Sequence, residues 1–226
     1  MATAPITWDE TGKRFFETGC DHGILFPTKL EGGYAAGVPW NGLSGVTESP
    51  SGAEATPVWA DNMKYLNLIS AEDFGATVTA YTYPDEFEVC NGFASPSAGL
   101  TIGQQGRAMF GLAYRTKVGN DVNGNLGHKI HIIWGCQASP SERAYTTVND
   151  SPEALQFSWE ISTTPVPIEG DGDYKPTAYM CIDSTKDPKG YAAVEKLLRG
   201  DGSSTASKLP TPREIIDAVS QANSIM

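Results

Sequence analysis

Leu155, Phe157, Trp159 and Ile161 alternate without a break with Gln156, Ser158, Glu160 and Ser162. Side chains of an extended strand point to opposite faces in turn, so this stretch predicts a strand over 155–164 with one packed face and one wet face. Wet-faced strands belong to antiparallel sheets. Period-two patterns recur at 76–83, with Thr77, Thr79, Tyr81 and Tyr83 on one side, and at 109–117, with Phe110, Leu112 and Tyr114 on one side. Lys129 to Trp134 places Ile130, Ile132 and Trp134 together; Thr177 to Ile182 is a further strand, and 58–59 with 65–69 a weaker pair. Gly119 to Asn125, rich in residues that tolerate positive φ, predicts a hairpin between two of these strands.

Helices are few and late. Asp187-Pro188 supplies an N-cap and a first-turn proline, Tyr191, Val194 and Leu198 form a stripe, and Gly200 closes the segment. Thr211-Pro-Arg-Glu214 is a capping box ahead of Ile215, Ile216 and Val219. A single helical turn is expected between Pro84 and Gly92. Gly42 to Ala55 has hardly any large apolar residue and reads as a long loop or flexible hairpin arm; Gly200 to Pro212 reads as a mobile linker. The 24 Gly and 15 Pro, beside 40% hydrophobic residues, fit one turn-rich β domain with helical additions. It divides into residues 1–57 (N-terminal arm, first strands and long loop), a β core over 58–185 and C-terminal helices over 186–226.

Charge narrows the functions. With 16 Lys and Arg against 27 Asp and Glu the net charge is -11, and no basic cluster exists to release counterions from DNA, RNA or anionic lipid. No apolar run approaches the ~20 residues of a bilayer-crossing helix, and the start of the sequence reads as carrying no secretory signal. Cys20, Cys90, Cys136 and Cys181 are too widely spaced for a zinc ribbon and read as reduced thiols.

Candidate chemistry is sparse. Asp85, Glu86 and Glu88 could share acid and base roles, but they follow Pro84, where carboxylates complement a helix start. His22 lies beside Cys20, and His128 and His131 would point to opposite strand faces. Asp121-Val-Asn123-Gly-Asn125 resembles the start of a calcium loop but has Ile132 where the bidentate Glu belongs, and Asp171-Gly-Asp173 is short of ligands. No catalytic residue, cofactor or metal is expected.

In its order of motifs the chain resembles the major tail (tail tube) proteins of long, non-contractile-tailed bacteriophages. The resemblance is carried by Trp59-Ala-Asp61-Asn62-Met-Lys64-Tyr65, Phe74-Gly75 through Tyr81-Thr-Tyr83-Pro84-Asp85-Glu86-Phe87, and Ile102-Gly-Gln-Gln-Gly-Arg107. It continues through Phe110-Gly-Leu-Ala-Tyr-Arg115-Thr, Gly119-Asn-Asp121, Ser139-Pro-Ser-Glu142, Asn149 to Ala154, Trp159 to Pro165 and Leu209-Pro-Thr-Pro-Arg-Glu214. It covers roughly 58–216.

The resemblance implies a β-sandwich or partial barrel of the tail tube type, with one or two short helices and long loops. Its subunits form rings of six that stack into a hollow tube passing genomic DNA. It also implies assembly in the host cell cytoplasm, a place in the virion tail, and tape measure, tail terminator and distal tail proteins as partners, with no membrane binding. Six copies carry roughly -66, and an acidic lumen keeps phosphate from sticking. On this reading Gln156, Ser158, Glu160 and Ser162, or the equivalent face of a neighbouring strand, line the lumen; the alternative is an outer solvated face. The Gly42 to Ala55 loop, with Gly42, Ser44, Glu48, Ser51 and Glu54, and both chain ends are expected to order against neighbouring subunits, against the alternative of an outer decoration. The competing functions are a single-ring tail component, a terminator or baseplate protein, and a carbohydrate-binding β-sandwich using Trp8, Trp40 and Trp59.

Overall fold

A computed structural model describes residues 5–148, 150, 153–170 and 172–224. Asp171, Asn149, Ser151 and Pro152, which fall in motifs named above, and both extreme chain ends lie outside the described residues. The strands in chain order are β1 (Phe15–Pro27), β2 (Val38–Trp40), β3 (Leu43–Glu48), β4 (Ser51–Gly52), β5 (Ala55–Ala60), β6 (Met63–Ile69), β7 (Glu72–Asp73) and β8 (Gly75–Ala80). After the single turn α1 (Phe87–Cys90) come β9 (Ala94–Ser97), β10 (Leu100–Ile102), β11 (Phe110–Asn120), β12 (Gly127–Ala138), β13 (Phe157–Thr163) and β14 (Tyr179–Asp183). The helices α2 (Pro188–Arg199) and α3 (Pro212–Ser224) close the chain. The fold is mainly β and antiparallel, as the alternation predicts, and sandwich-like, as the resemblance implies.

One eight-stranded sheet runs β2-β1-β11-β12-β13-β8-β3, with β14 branching from β12. The branch has a local cause. Residues 129–133 of β12 pair with β14, and residues 136–138 pair with β13. Between them Gly135 adopts φ +60°, its N–H bonded to the Tyr34 hydroxyl at 3.0 Å. A Cβ there would stand 2.3 Å from the Thr164 carbonyl oxygen, so only glycine permits the bend.

The bent sheet makes two cores. Leu25, Leu112, Tyr114, Ile133, Trp159 and Ile161 face inward around Phe87, whose ring lies 4.7 Å from Trp40, 5.0 Å from Trp159 and 5.4 Å from Phe110, centroid to centroid. Phe26, Ala113, Ile130, Ile132 and Trp134 point the other way, where Tyr191, Val194, Leu198 and Ile215 of the helices cover them. The predicted caps form as written: Asp187 accepts from the Gly190 N–H at 2.9 Å, and Thr211 and Glu214 bond each other's N–H groups.

Three expectations change. The core takes in β1 and β2, with Trp40 only 3% exposed and its indole N–H bonded to the Thr82 carbonyl, so the β core does not begin at residue 58. Tyr83 leaves the polar face and packs into the inner core, since β8 ends at Ala80. The 200–212 linker is tied down: Asp201 accepts from the N–H groups of Ser203, Ser204 and Thr205, and Trp134 donates to the Pro210 carbonyl at 2.9 Å.

Gly135→Ala is expected to lower unfolding free energy by about 3 kcal/mol, the cost of a strained left-handed residue plus the Thr164 clash. Urea unfolding of variant and wild type measures it.

Candidate functional site

Beyond the sheet edge, β3 and β8 continue outward as a two-stranded ribbon. Ser49 donates to the Gly75 carbonyl at 2.8 Å, β4 pairs with β7, and β5 pairs with β6 from Ala55 opposite Ile69 to Ala60 opposite Met63. Asp61 (φ +50°) and Asn62 (φ +59°) close it as a two-residue turn with both central residues left-handed, the form that suits hairpin twist. From Ser49 to Ala60 the ribbon spans ~40 Å at about 3.3 Å per residue. Gly52, at φ +81°, permits the close pairing at its base, where a Cβ would sit 2.4 Å from the Ala71 carbonyl oxygen.

The ribbon is apolar on both sides. Val58 lies opposite Leu66 and Thr56 opposite Leu68 on one side, with Ala55 opposite Ile69 on the other. Trp59, Tyr65 and Ile69 are 67%, 69% and 71% exposed, and Met63 and Leu68 are similarly bare. No residue of 49–73 enters either core. A lone two-stranded hairpin is marginal in water, and a large exposed apolar patch marks an interaction surface.

Of the two readings of Gly42 to Ala55, the hairpin arm holds for its second half, and its first half is neither loop nor arm but part of the sheet. Leu43, Val46 and Glu48 belong to an edge strand of the sheet, with Val46 opposite Val78. Two apolar residues suffice there because an edge strand covers only one flank of the core. Gly42 forms the turn into that strand, its carbonyl accepting from Tyr81, while Ser44 donates to Thr79 Oγ1 at 3.1 Å. Ser51 and Glu54 stand in the ribbon's base. The sequence pattern reads 58–59 and 65–69 as a weak strand pair inside the β core, and the structure places them on the ribbon instead; Asp61-Asn62 between two runs that are apolar on both sides is the signal that distinguishes them.

Ser158, Glu160 and Ser162 share one exposed face of β13, and the exposed Gln156 immediately precedes the strand. Thr79 lies opposite Ser158 and Thr77 opposite Glu160, Thr47 of β3 lies opposite Thr77, and Gln156 donates to Ser44 at 2.8 Å. The result is a hydroxyl-rich wall in which Glu160 is the one charge among these residues.

Where the inner face ends, His131 is 6% exposed and its ring stacks on Tyr114 at 4.7 Å. Thr116 gives its proton to Glu17 Oε1 (2.5 Å) and so accepts from His131 Nε2 at 2.9 Å. Nδ1 is then the acceptor for the Tyr179 hydroxyl at 2.7 Å, and Tyr114 donates to Glu48 Oε1 at 2.7 Å. Neutral His131 therefore satisfies the cluster, joining β1, β3, β11, β12 and β14. Burial pushes its pKa down, outweighing Glu48 and Glu17, which pull it up. Burial works against ionisation of Glu17 too, but Lys129 and Thr116 hold it below the usual carboxylate range.

The remaining candidates disperse. Asp85 and Glu86 are exposed, and Glu88 accepts from Ser95. His22 contacts Asp21 at 2.8 Å, whereas burial pushes the Cys20 thiol up to about 11, the wrong direction for a nucleophile. Asn120 and Asn123 accept from backbone N–H groups of their own turn, and Asp121 from Gly12. Trp40 is buried, so the three tryptophans form no sugar platform. Among the described residues no three His, Cys, Asp or Glu side chains gather as a metal site, and no helix is long and apolar enough to cross a membrane. No family model matches the chain, and no curated protein matches it.

Since the folded-state pKa of His131 lies below its unfolded value of about 6.5, its contribution to stability is complete above that value and lost as pH falls through it. His131→Gln is expected to flatten the decline in stability as pH falls below about 6.5, read as the pH dependence of the thermal midpoint. A slope equal to wild type would contradict this.

Proposed function

We propose that the chain is the structural subunit of a long, non-contractile phage tail tube, built from stacked rings through which DNA passes. The observation that carries this reading is the ribbon, an ordered apolar element with no place in its own chain. A second copy supplies the apolar surface that the ribbon lacks. Closed rings of identical chains form from heterologous contacts, and stacking extends them into a tube.

The hydroxyl-rich wall of β13, β8 and β3 supports the same reading. It offers hydrogen bonds that water can equally make, carries Glu160, and presents none of the Lys or Arg side chains that would hold phosphate. On this reading Gln156, Ser158, Glu160 and Ser162 line the lumen, and the -11 charge of each copy keeps the channel anionic. Assembly takes place in the host cytoplasm, with the tape measure protein setting length and terminator and distal tail proteins closing the ends. A terminator or baseplate protein would stop at one ring.

Replacing Ala53 to Ala71 by a two-glycine turn removes the ribbon and spares β3 and β8. The shortened chain is expected to keep its far-ultraviolet circular dichroism and melt cooperatively, yet form no tubes in negative-stain microscopy. Tubes of normal length from it would sink the proposal, and wild-type single rings would favour the terminator or baseplate reading. For the lumen, tubes of Glu160→Lys are expected to retain DNA in a co-sedimentation assay that wild-type tubes fail to retain.

A further inference from the structure

A cleft of about 530 Å³ opens between β1, β2, the start of β3 and the C-terminal end of α2. Ile24, Pro39, Leu43 and Leu198 give it an apolar wall, and His22 and Arg199 stand on its rim. Asp21, also at the rim, is already engaged by Arg115 through two hydrogen bonds of 2.8 and 2.9 Å. Its size suits a pair of large side chains.

The cleft and the ribbon occupy opposite ends of β3. Asn41 to Leu43 line the cleft, whereas the ribbon departs after Glu48, about 17 Å away along the strand. Since the ribbon prolongs β3 away from the cleft, it would have to reverse direction to fill its own. We propose that the tip of the ribbon, Trp59 and Met63 flanking Asp61-Asn62, seats in this cleft on a second copy of the chain.

Three features favour that occupant. The tip is preformed by its left-handed turn, so docking orders little new backbone. The tip presents Trp59 and Met63 as bare apolar side chains, 67% and 62% exposed, which the apolar wall of the cleft would cover. Asp61 is the acidic group at the tip, and the rim that receives it carries Arg199, which is also bonded to Glu195 at 3.0 Å. A contact between different surfaces of identical chains is heterologous, so repeated head to tail it builds a closed ring or an open filament. The proposal rests on the reading of the chain as a self-assembling subunit and names the surface that receives the ribbon.

Two variants test it by sedimentation velocity with the full chain. Trp59→Ser with Met63→Ser blunts the tip, and Asn41→Trp, at an exposed position, plugs the cleft. Thermal midpoints near wild type establish that each folds. Alone, each variant is expected to lose every species beyond its smallest unit. Mixed in equal amounts, they should double that mass and stop, because one intact tip meets one intact cleft and no further pair remains. Wild-type-like assembly by the plugged variant, or a mixture that shows no doubling, would overturn the docking site. Hollow tubes from the plugged variant would leave the tube function standing without this contact. Solid head-to-tail filaments from wild type, abolished by the plug, would keep the contact and remove the tube. A wild type that stays monomeric at every concentration would overturn both.

Discussion

Strand β12 is the constraint from which the architecture follows. It is buried on both faces, with Ile133 and Cys136 in one core and Ile130, Ile132 and Trp134 in the other. A strand buried twice needs cover on each side, yet an antiparallel sheet commonly covers one. The bend at Gly135 resolves this by turning the β13-β8-β3 half of the sheet around the inner core, leaving the opposite face to α2 and α3. Both apolar surfaces of the sheet are then spent, and a third apolar element must find its cover elsewhere.

That third element is the ribbon. Its strands continue β3 and β8 past the point where either core can reach them, so side chains such as Leu68 and Ile69 meet water in the isolated chain. The apolar surface of a ribbon would ordinarily invite uncontrolled pairing. Confining it to a hairpin with a rigid two-residue turn gives it a defined shape, which is what a specific contact between copies requires. On the proposed reading the polar wall on β13 plays the complementary part, as a surface that holds no phosphate.

Much of this was legible in the sequence because period two and capping are local signals. The alternation at Phe157 to Ile161, the Ile130, Ile132, Trp134 stripe, the Asp187 and Thr211 caps and the turn at Pro84 all depend on neighbours a few residues away. What was not legible depends on distant partners. Leu43 and Val46 looked like a loop because their support, Ala80 and Val78, lies more than thirty residues on. The ribbon looked like core because its apolar content says nothing about whether a second layer exists to bury it. His131 was a lone histidine in sequence, and only folding brings Glu17 and Glu48 to its ring.

The central claim, that the ribbon finds its cover in another copy, is tested most directly by hydrogen exchange of the wild-type chain across a concentration series. The account predicts that amides of 55–69 exchange rapidly in dilute solution and slow sharply as the protein assembles, while those of β12 stay protected throughout. Ribbon protection that is independent of concentration would contradict it.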